Sequence, residues 1–197
     1  MRCVFPSVSM KCSQIILIVS TLAVCWLAMQ IVHELGHVIG AWWTGGVVAK
    51  VVLRPWTFSS TELSSNPHPL VVAWAGPVLG AAVPAFVWLV AKIGSCPGDY
   101  LLRFFAGFCL IANGAYLGGG ALDRLGDAGD LQRHGTSLWP LLLFAAVTLP
   151  AGLWLWHGQS RHFGFSGAGG RVNRGAVWTS LVALLLLLAA ECLLGAD

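Results

Sequence analysis

One apolar run, from Ile15 to Trp43, carries the polar stretch His33-Glu34-Leu35-Gly36-His37 near its end. The run is long enough to cross the hydrocarbon core of a bilayer with a turn or more to spare, which predicts a membrane helix over about Ser13 to Thr44. Burying two imidazoles and a carboxylate in such a helix is expensive, so the trio must meet partners inside the protein. Histidines four residues apart leave one face of a helix about a turn from each other. Both imidazoles can then reach a single tetrahedral metal ion. Glu34, between them, stands beside the metal without having to ligate it, placed to take a proton from water. The chain has three glutamates and six histidines, so H-E-x-x-H arises somewhere by chance with a probability of roughly a few in a thousand.

Composition extends the membrane reading to the whole chain. Of 197 residues, 57% are hydrophobic and 10% charged, against about 25% charged in soluble proteins. The expected fold is an all-α polytopic membrane protein, a single domain over residues 1–197. It has about five transmembrane helices and a short β-hairpin after the first. The net charge of +3 is small and the basic residues are scattered, so nucleic-acid binding has no basis. Six cysteines lie far apart without C-x-x-C spacing. Neither a disulfide framework nor a cysteine-held metal is expected. Arg2 and Lys11 before an apolar run resemble a signal peptide, but no small-x-small cleavage site precedes the histidines, and the segment reads as an uncleaved helix.

Gly45-Gly46 ends the first span. Val47 to Leu53 alternates as a strand and Pro55 stops it, with a hairpin partner expected from Trp56 to Glu62. Further spans are expected at about Leu70 to Ile93, Leu101 to Leu117, Leu138 to Trp156 and Ala176 to Leu194. Gly118-Gly119-Gly120 is expected to break the third, and Gly158 to Gly175 to form a mobile loop. In the second span Ala75-Gly76-Pro77 and Gly80-Ala81-Ala82 make a small-residue face suited to close helix packing, with possible kinks at Pro77 and Pro84. Trp42, Trp43, Trp139, Trp156 and Trp178 fall near span ends, where an interfacial belt places tryptophan.

A catalytic zinc takes three protein ligands and keeps one open position. The extension H-E-x-x-H-x-x-G-x-x-H matches through Gly40 and then fails, because Trp43 occupies the third histidine's place. Glu62, His68 and Glu191 are conceivable substitutes. Topology favours Asp127 and Asp130, in the acidic stretch after the third span. Alternating spans bring that stretch to the membrane face nearest the histidines, whereas Asp99 lies on the opposite face.

These residues resemble the site-2 protease group of intramembrane zinc metalloproteases, and within it the small bacterial M50B-like proteins. The resemblance covers about residues 15 to 137. It rests on His33-Glu34-Leu35-Gly36-His37 in a membrane helix, on Thr44-Gly45-Gly46 before a valine-rich strand, and on Ala75-Gly76-Pro77 early in the next span. A distal Asp127-Ala128-Gly129-Asp130-Leu131-Gln132-Arg133 completes it. The family's distal motif commonly reads Asn-x-x-Pro, then Leu-Asp-Gly-Gly and an arginine. Here Ala128 replaces the first glycine, no proline motif precedes, and Asn113 sits further upstream. The resemblance implies a core over residues 13–137, with spans from 138 to 197 added. It implies one zinc per chain on His33, His37 and Asp127 (Asp130 as second choice), with Glu34 as catalytic base and Asn113 as a residue that orients substrate or bonds a ligand. The implied activity is endopeptidase cleavage of a membrane protein substrate within or beside the lipid bilayer of a bacterial cell.

Orientation is ambiguous. Seven Lys and Arg residues fall on the N-terminal side and four on the other; the positive-inside rule would put the N-terminus in the cytoplasm, and the resemblance implies the reverse. A competing function is a non-catalytic membrane scaffold or regulator that keeps a zinc site, though such a site has no need of Glu34. A metal transporter would need further His or Asp residues inside other spans, and those spans carry none in their interiors.

Overall fold

The computed structural model describes residues 12–165 and 172–194. Arg2, Cys3, Lys11 and part of the Gly158 to Gly175 connection lie outside them. The element order is α1 (Cys12–Trp43), β1 (Val47–Val52), β2 (Ser60–Ser65), α2 (Pro69–Ile93), α3 (Asp99–Asp123), α4 (Gly126–Arg133), α5 (Leu138–Trp156), a 3-10 turn (Gln159–Phe163) and α6 (Arg174–Leu194). Five of these helices (α1, α2, α3, α5 and α6) are long and apolar enough to cross a membrane, so this is a multi-pass membrane protein with one short antiparallel hairpin. Large apolar side chains such as Val19, Phe86, Leu143 and Leu185 face outward, as lipid contact requires. At 32 residues, α1 is about 48 Å long. It therefore tilts in, or projects from, a core about 30 Å thick.

Small residues set the distances between spans. Gly36 and Gly40 of α1 lie against Ala75, Gly76 and Val72 of α2, so closely that a Cβ on Gly36 would strike the α2 backbone. Along α3, Gly107, Gly114 and Gly118 face Gly152, Thr148 and Ala145 of α5 in antiparallel order. This packing explains a departure from the expected third span. Gly118-Gly119-Gly120 does not break the helix, and α3 continues to Asp123. Glycine costs a helix about 1 kcal/mol relative to alanine in water. In an apolar setting the backbone bonds have no alternative partner, and close helix approach repays the missing side chain. α3 ends instead at Arg124, whose left-handed backbone (φ 57°) reverses the chain into α4.

The remaining elements depart from expectation in smaller ways. The second strand is Ser60–Ser65 rather than Trp56 to Glu62, because the connection from Leu53 to Ser59 is held against α1 instead of pairing. β1 and β2 pair with Lys50 opposite Glu62 and Val51 opposite Thr61. Within the connection expected to be mobile, Gln159 and Phe163 are buried, and Gln14 of α1 donates to the Phe163 carbonyl at 2.9 Å. Trp42, Trp43, Trp139 and Trp178 are exposed, in keeping with a belt. Trp156 is not: it stacks on Phe104 and donates to that residue's carbonyl. α6 packs on α1 in parallel, with Ser20 and Ser180 hydroxyls 2.7 Å apart.

The α3–α5 contact can be tested by adding one carbon. A Cβ on Gly152 would lie 2.7 Å from the Gly107 carbonyl oxygen, whereas nothing lies within 4 Å of one on Gly119. Gly152→Ala should lower unfolding stability in detergent by about 1–3 kcal/mol. Gly119→Ala should leave it unchanged or raise it by up to about 1 kcal/mol.

Candidate metal centre

His33, Glu34 and His37 are all buried on α1 (8%, 5% and 8% exposed). They lie six to ten residues before Trp43, which places them about 9–15 Å below that end of the helix. The carboxylate of Asp127 reaches them from α4, which is anchored by Ala128 and Leu131. Both are completely buried in a cluster with Leu117, Ala121 and Leu141. Positive backbone angles at Arg124 and Gly126 make the tight reversal. A side chain on Gly126 would collide with the Tyr116 hydroxyl.

Three atoms converge. His33 Nε2 lies 2.9 Å and His37 Nε2 3.3 Å from Asp127 Oδ2, and the two Nε2 atoms are 3.1 Å apart. Ligand atoms at about 2.0–2.1 Å from one metal ion lie about 2.8–3.4 Å from each other at right-angled or tetrahedral positions. The group therefore has the dimensions of three ligands to one ion, and it could hold a metal.

The outer partners fix what these atoms present to one another. His37 Nδ1–H donates to the Val72 carbonyl at 2.8 Å, and His33 Nδ1–H donates to Asn113 Oδ1 at 2.7 Å. Asn113 Nδ2 in turn donates to the Cys109 carbonyl at 2.9 Å, which settles the orientation of the amide. With protons on both Nδ1 atoms, each neutral imidazole turns an Nε2 lone pair inward. Burial alone would raise the Asp127 carboxyl. A proton on the His33 or His37 Nε2 would outweigh that by hydrogen bonding and charge, and hold it below the usual carboxylate range. Two lone pairs and a carboxylate oxygen facing each other repel unless a cation lies among them. Imidazoles locked by their second nitrogen in this way are the common arrangement around bound metals.

Beside the trio, Glu34 Oε2 accepts a hydrogen bond from Thr61 Oγ1 at 2.7 Å, and its Oε1 has no hydrogen bond among the described residues. A cavity of about 530 Å³ opens here, lined by the trio, Glu34, Thr61 and Tyr116 among others. The hairpin is tied to α1 by a ladder of side chains spaced four residues apart. Trp26 Nε1 donates to the Pro55 carbonyl at 3.0 Å. Gln30 Oε1 accepts from Ser59 N–H and Oγ–H at 2.8 and 2.9 Å, and Glu34 completes the ladder. β2, rather than the first strand, thus borders the cavity.

The other expected residues separate clearly. Asp130 sits at the cavity rim, more than half exposed and paired with Arg133 at 2.5 Å. Glu62, His68 and Glu191 stand outside the cluster. Asn113 does not face substrate with a vacant amide; its Oδ1 is taken by His33 and its Nδ2 donates to the Cys109 carbonyl. Sequence reasoning missed Tyr116, whose ring edge meets His33 (centroids 5.6 Å apart, 85°) and whose hydroxyl accepts the Asp127 backbone N–H at 3.3 Å. Its signal was the one-turn spacing from Asn113. Gln30 was missed too, although an amide one turn before Glu34 in an apolar run is itself an oddity. Comparisons with protein families, curated proteins and solved structures find no match to this chain.

Metal analysis of the purified protein tests the centre. One equivalent of a first-row metal per chain is expected, lost in His33→Ala and Asp127→Ala and retained in Asp130→Ala. Asn113→Ala should weaken metal affinity by about 10- to 100-fold. Retention of full affinity in that variant would refute the role given to the His33 hydrogen bond.

Proposed function

We propose that this protein is a zinc-dependent endopeptidase that cleaves polypeptide within the membrane. The observation that carries the reading is a buried two-histidine, one-carboxylate cluster with a carboxylate beside it that takes no part in ligation. Placing Glu34 between the two histidines on one helix serves hydrolysis, whereas storage or structural sites have no use for an adjacent base. The resemblance to site-2 proteases points the same way.

His33, His37 and Asp127 would hold the ion, which when bound supplies a Lewis acid to polarise a peptide carbonyl and to acidify water. Glu34 works from Oε1, because Thr61 occupies Oε2. It takes the proton of the attacking water and passes it to the leaving amine nitrogen. The Thr61 hydroxyl keeps the carboxylate turned toward the cavity. A transmembrane helix cannot be cut while its backbone is wound, so the substrate must enter extended. β2 offers an extended neighbour with peptide groups along the cavity wall.

Zinc is expected in the metal analysis; iron would point instead to oxygen chemistry at a facial triad. For the reaction, new protein termini should be compared between membranes carrying the wild-type protein and membranes carrying Glu34→Gln. The variant should keep its zinc and lose a discrete set of cleavages mapping to membrane segments. Identical termini in the two would sink the peptidase reading and leave a zinc-holding scaffold. Thr61→Val should keep zinc and slow the same cleavages by about tenfold, corresponding to loss of one hydrogen bond to a charged group.

A further inference from the structure

His33 and Glu34 also border a second, smaller cavity of about 220 Å³, and Ser59 and Tyr116 line both spaces. Its remaining walls are largely hydrocarbon and ring: Trp26 and Met29 from α1, Phe58 from the hairpin connection, Ala112 from α3. Gln30 and Asn113 also contribute, but Gln30 is bonded to Ser59 and the Arg54 carbonyl, and Asn113 to His33 and the Cys109 carbonyl. A guest in this space therefore meets mostly apolar surface, with His33 and Glu34 among the walls.

The walls are fixed by the contacts that build the site. Rings run in sequence from the cavity to a metal-ligating imidazole: Trp26 to Phe58 (6.0 Å), Phe58 to Tyr116 (5.8 Å) and Tyr116 to His33 (5.6 Å). Trp26 is pinned by its bond to Pro55, and Tyr116 by the backbone of Asp127. An apolar space of this size left empty forgoes dispersion contacts along its whole lining. It is also smaller than the roughly 300–1,000 Å³ typical of sites for whole small molecules. Its scale is that of one side chain, and its position is beside the base.

From this we infer that the cavity is a substrate subsite. It receives one large apolar side chain, aromatic or long aliphatic, from the polypeptide whose backbone occupies the larger cavity along β2. Seating that side chain sets which peptide bond is presented to Glu34 Oε1. The inference rests on the peptidase reading and adds the substrate preference: an extended segment with a bulky apolar residue at a fixed offset from the cut.

The test uses the full-length protein in proteoliposomes and a synthetic single-span peptide with an alanine- and glycine-rich centre carrying one variable residue. Cleavage is located by mass spectrometry. With phenylalanine or leucine at the variable position, kcat/KM should exceed that of the alanine peptide by about 10- to 200-fold, the discrimination an apolar pocket can supply. The cut should keep a constant offset from that residue. Ala112→Phe, which fills the cavity, should collapse the ratio toward one. Met29→Ala, which enlarges it, should shift the preference toward tryptophan. A second readout needs no turnover. Glu34→Gln protein is irradiated with the same peptide carrying benzoylphenylalanine, and the crosslink should map to Met29 or Phe58. Preferences unmoved by both substitutions would overturn the subsite, as would crosslinks confined to the lipid-facing side of α2 or an acyl chain found in its place. A crosslink at Met29 without cleavage of any peptide by the wild-type protein would uphold the binding pocket and refute the peptidase reading.

Discussion

The arrangement depends on three electron-pair donors that the fold forces together and that repel one another unless a cation joins them. Two Nε2 atoms and an Asp127 oxygen stand 2.9–3.3 Å apart, close enough to share a proton or a metal ion. In water such a set would separate. Here α1 cannot turn away, because His37 is held by the Val72 carbonyl and His33 by Asn113. α4 cannot retreat, because Ala128 and Leu131 are locked in the apolar cluster. The packing free energy of the bundle is thus used to hold a negative pocket open for a cation. Two neutral imidazoles and one carboxylate would leave a divalent ion with one net positive charge, which the nearby Glu34 carboxylate would offset. That balance matters in a medium where an uncompensated charge is costly.

The close contact between α1 and α2 is what brings a backbone carbonyl to His37. Val72 lies in the turn of α2 beside the glycine contacts, and its carbonyl oxygen has a second lone pair to offer the imidazole N–H beyond its own helical bond. A Cβ at Gly76 would occupy the space of the His37 ring. The small residues therefore do two things at one place: they permit the helices to approach, and they leave room for the imidazole that the approach orients. Asn113 extends the same logic to α3, with Gly80 of α2 bare where the amide sits. α2 gives up two side chains, at Gly76 and Gly80, so that the relay from α1 and α3 fits against it.

Much of this was readable before any coordinates. Apolar run lengths gave four of the five spans to within two residues and the end of the third to within six, and the histidine spacing placed two ligand atoms on one face. Topology alone directed the search for the third to the stretch after α3. What could not be read was how the chain turns there. Asp127 and Asp130 differ by three residues and share a short helix, so their chemistry in sequence is nearly the same. Burial of Ala128 and Leu131 decides which one faces inward, and that is a property of the assembled bundle. The triple glycine was misread for a related reason. In isolation it breaks a helix, but against Ala145 it allows contact. Asn113 was left between orienting substrate and bonding a ligand, and the paired contacts to His33 and Cys109 show that its amide is already used.

The hairpin couples the base to the cavity that would receive a substrate. Trp26, Gln30 and Glu34 recur every fourth residue on α1, and each holds or is held by the chain from Pro55 to Thr61. Trp26 pins the connection carrying Phe58, Gln30 pins Ser59, and Glu34 is bonded by Thr61. Displacing the hairpin would at once free a carboxylate oxygen, open the apolar cavity and withdraw the strand along which an extended chain could lie. Because these contacts share one helix face, they are made or lost together rather than separately. Enclosure of the cavity and orientation of Glu34 are therefore one structural state. If the protein is the peptidase proposed, a carboxylate aimed only when the cavity is enclosed would confine hydrolysis to a chain already seated there.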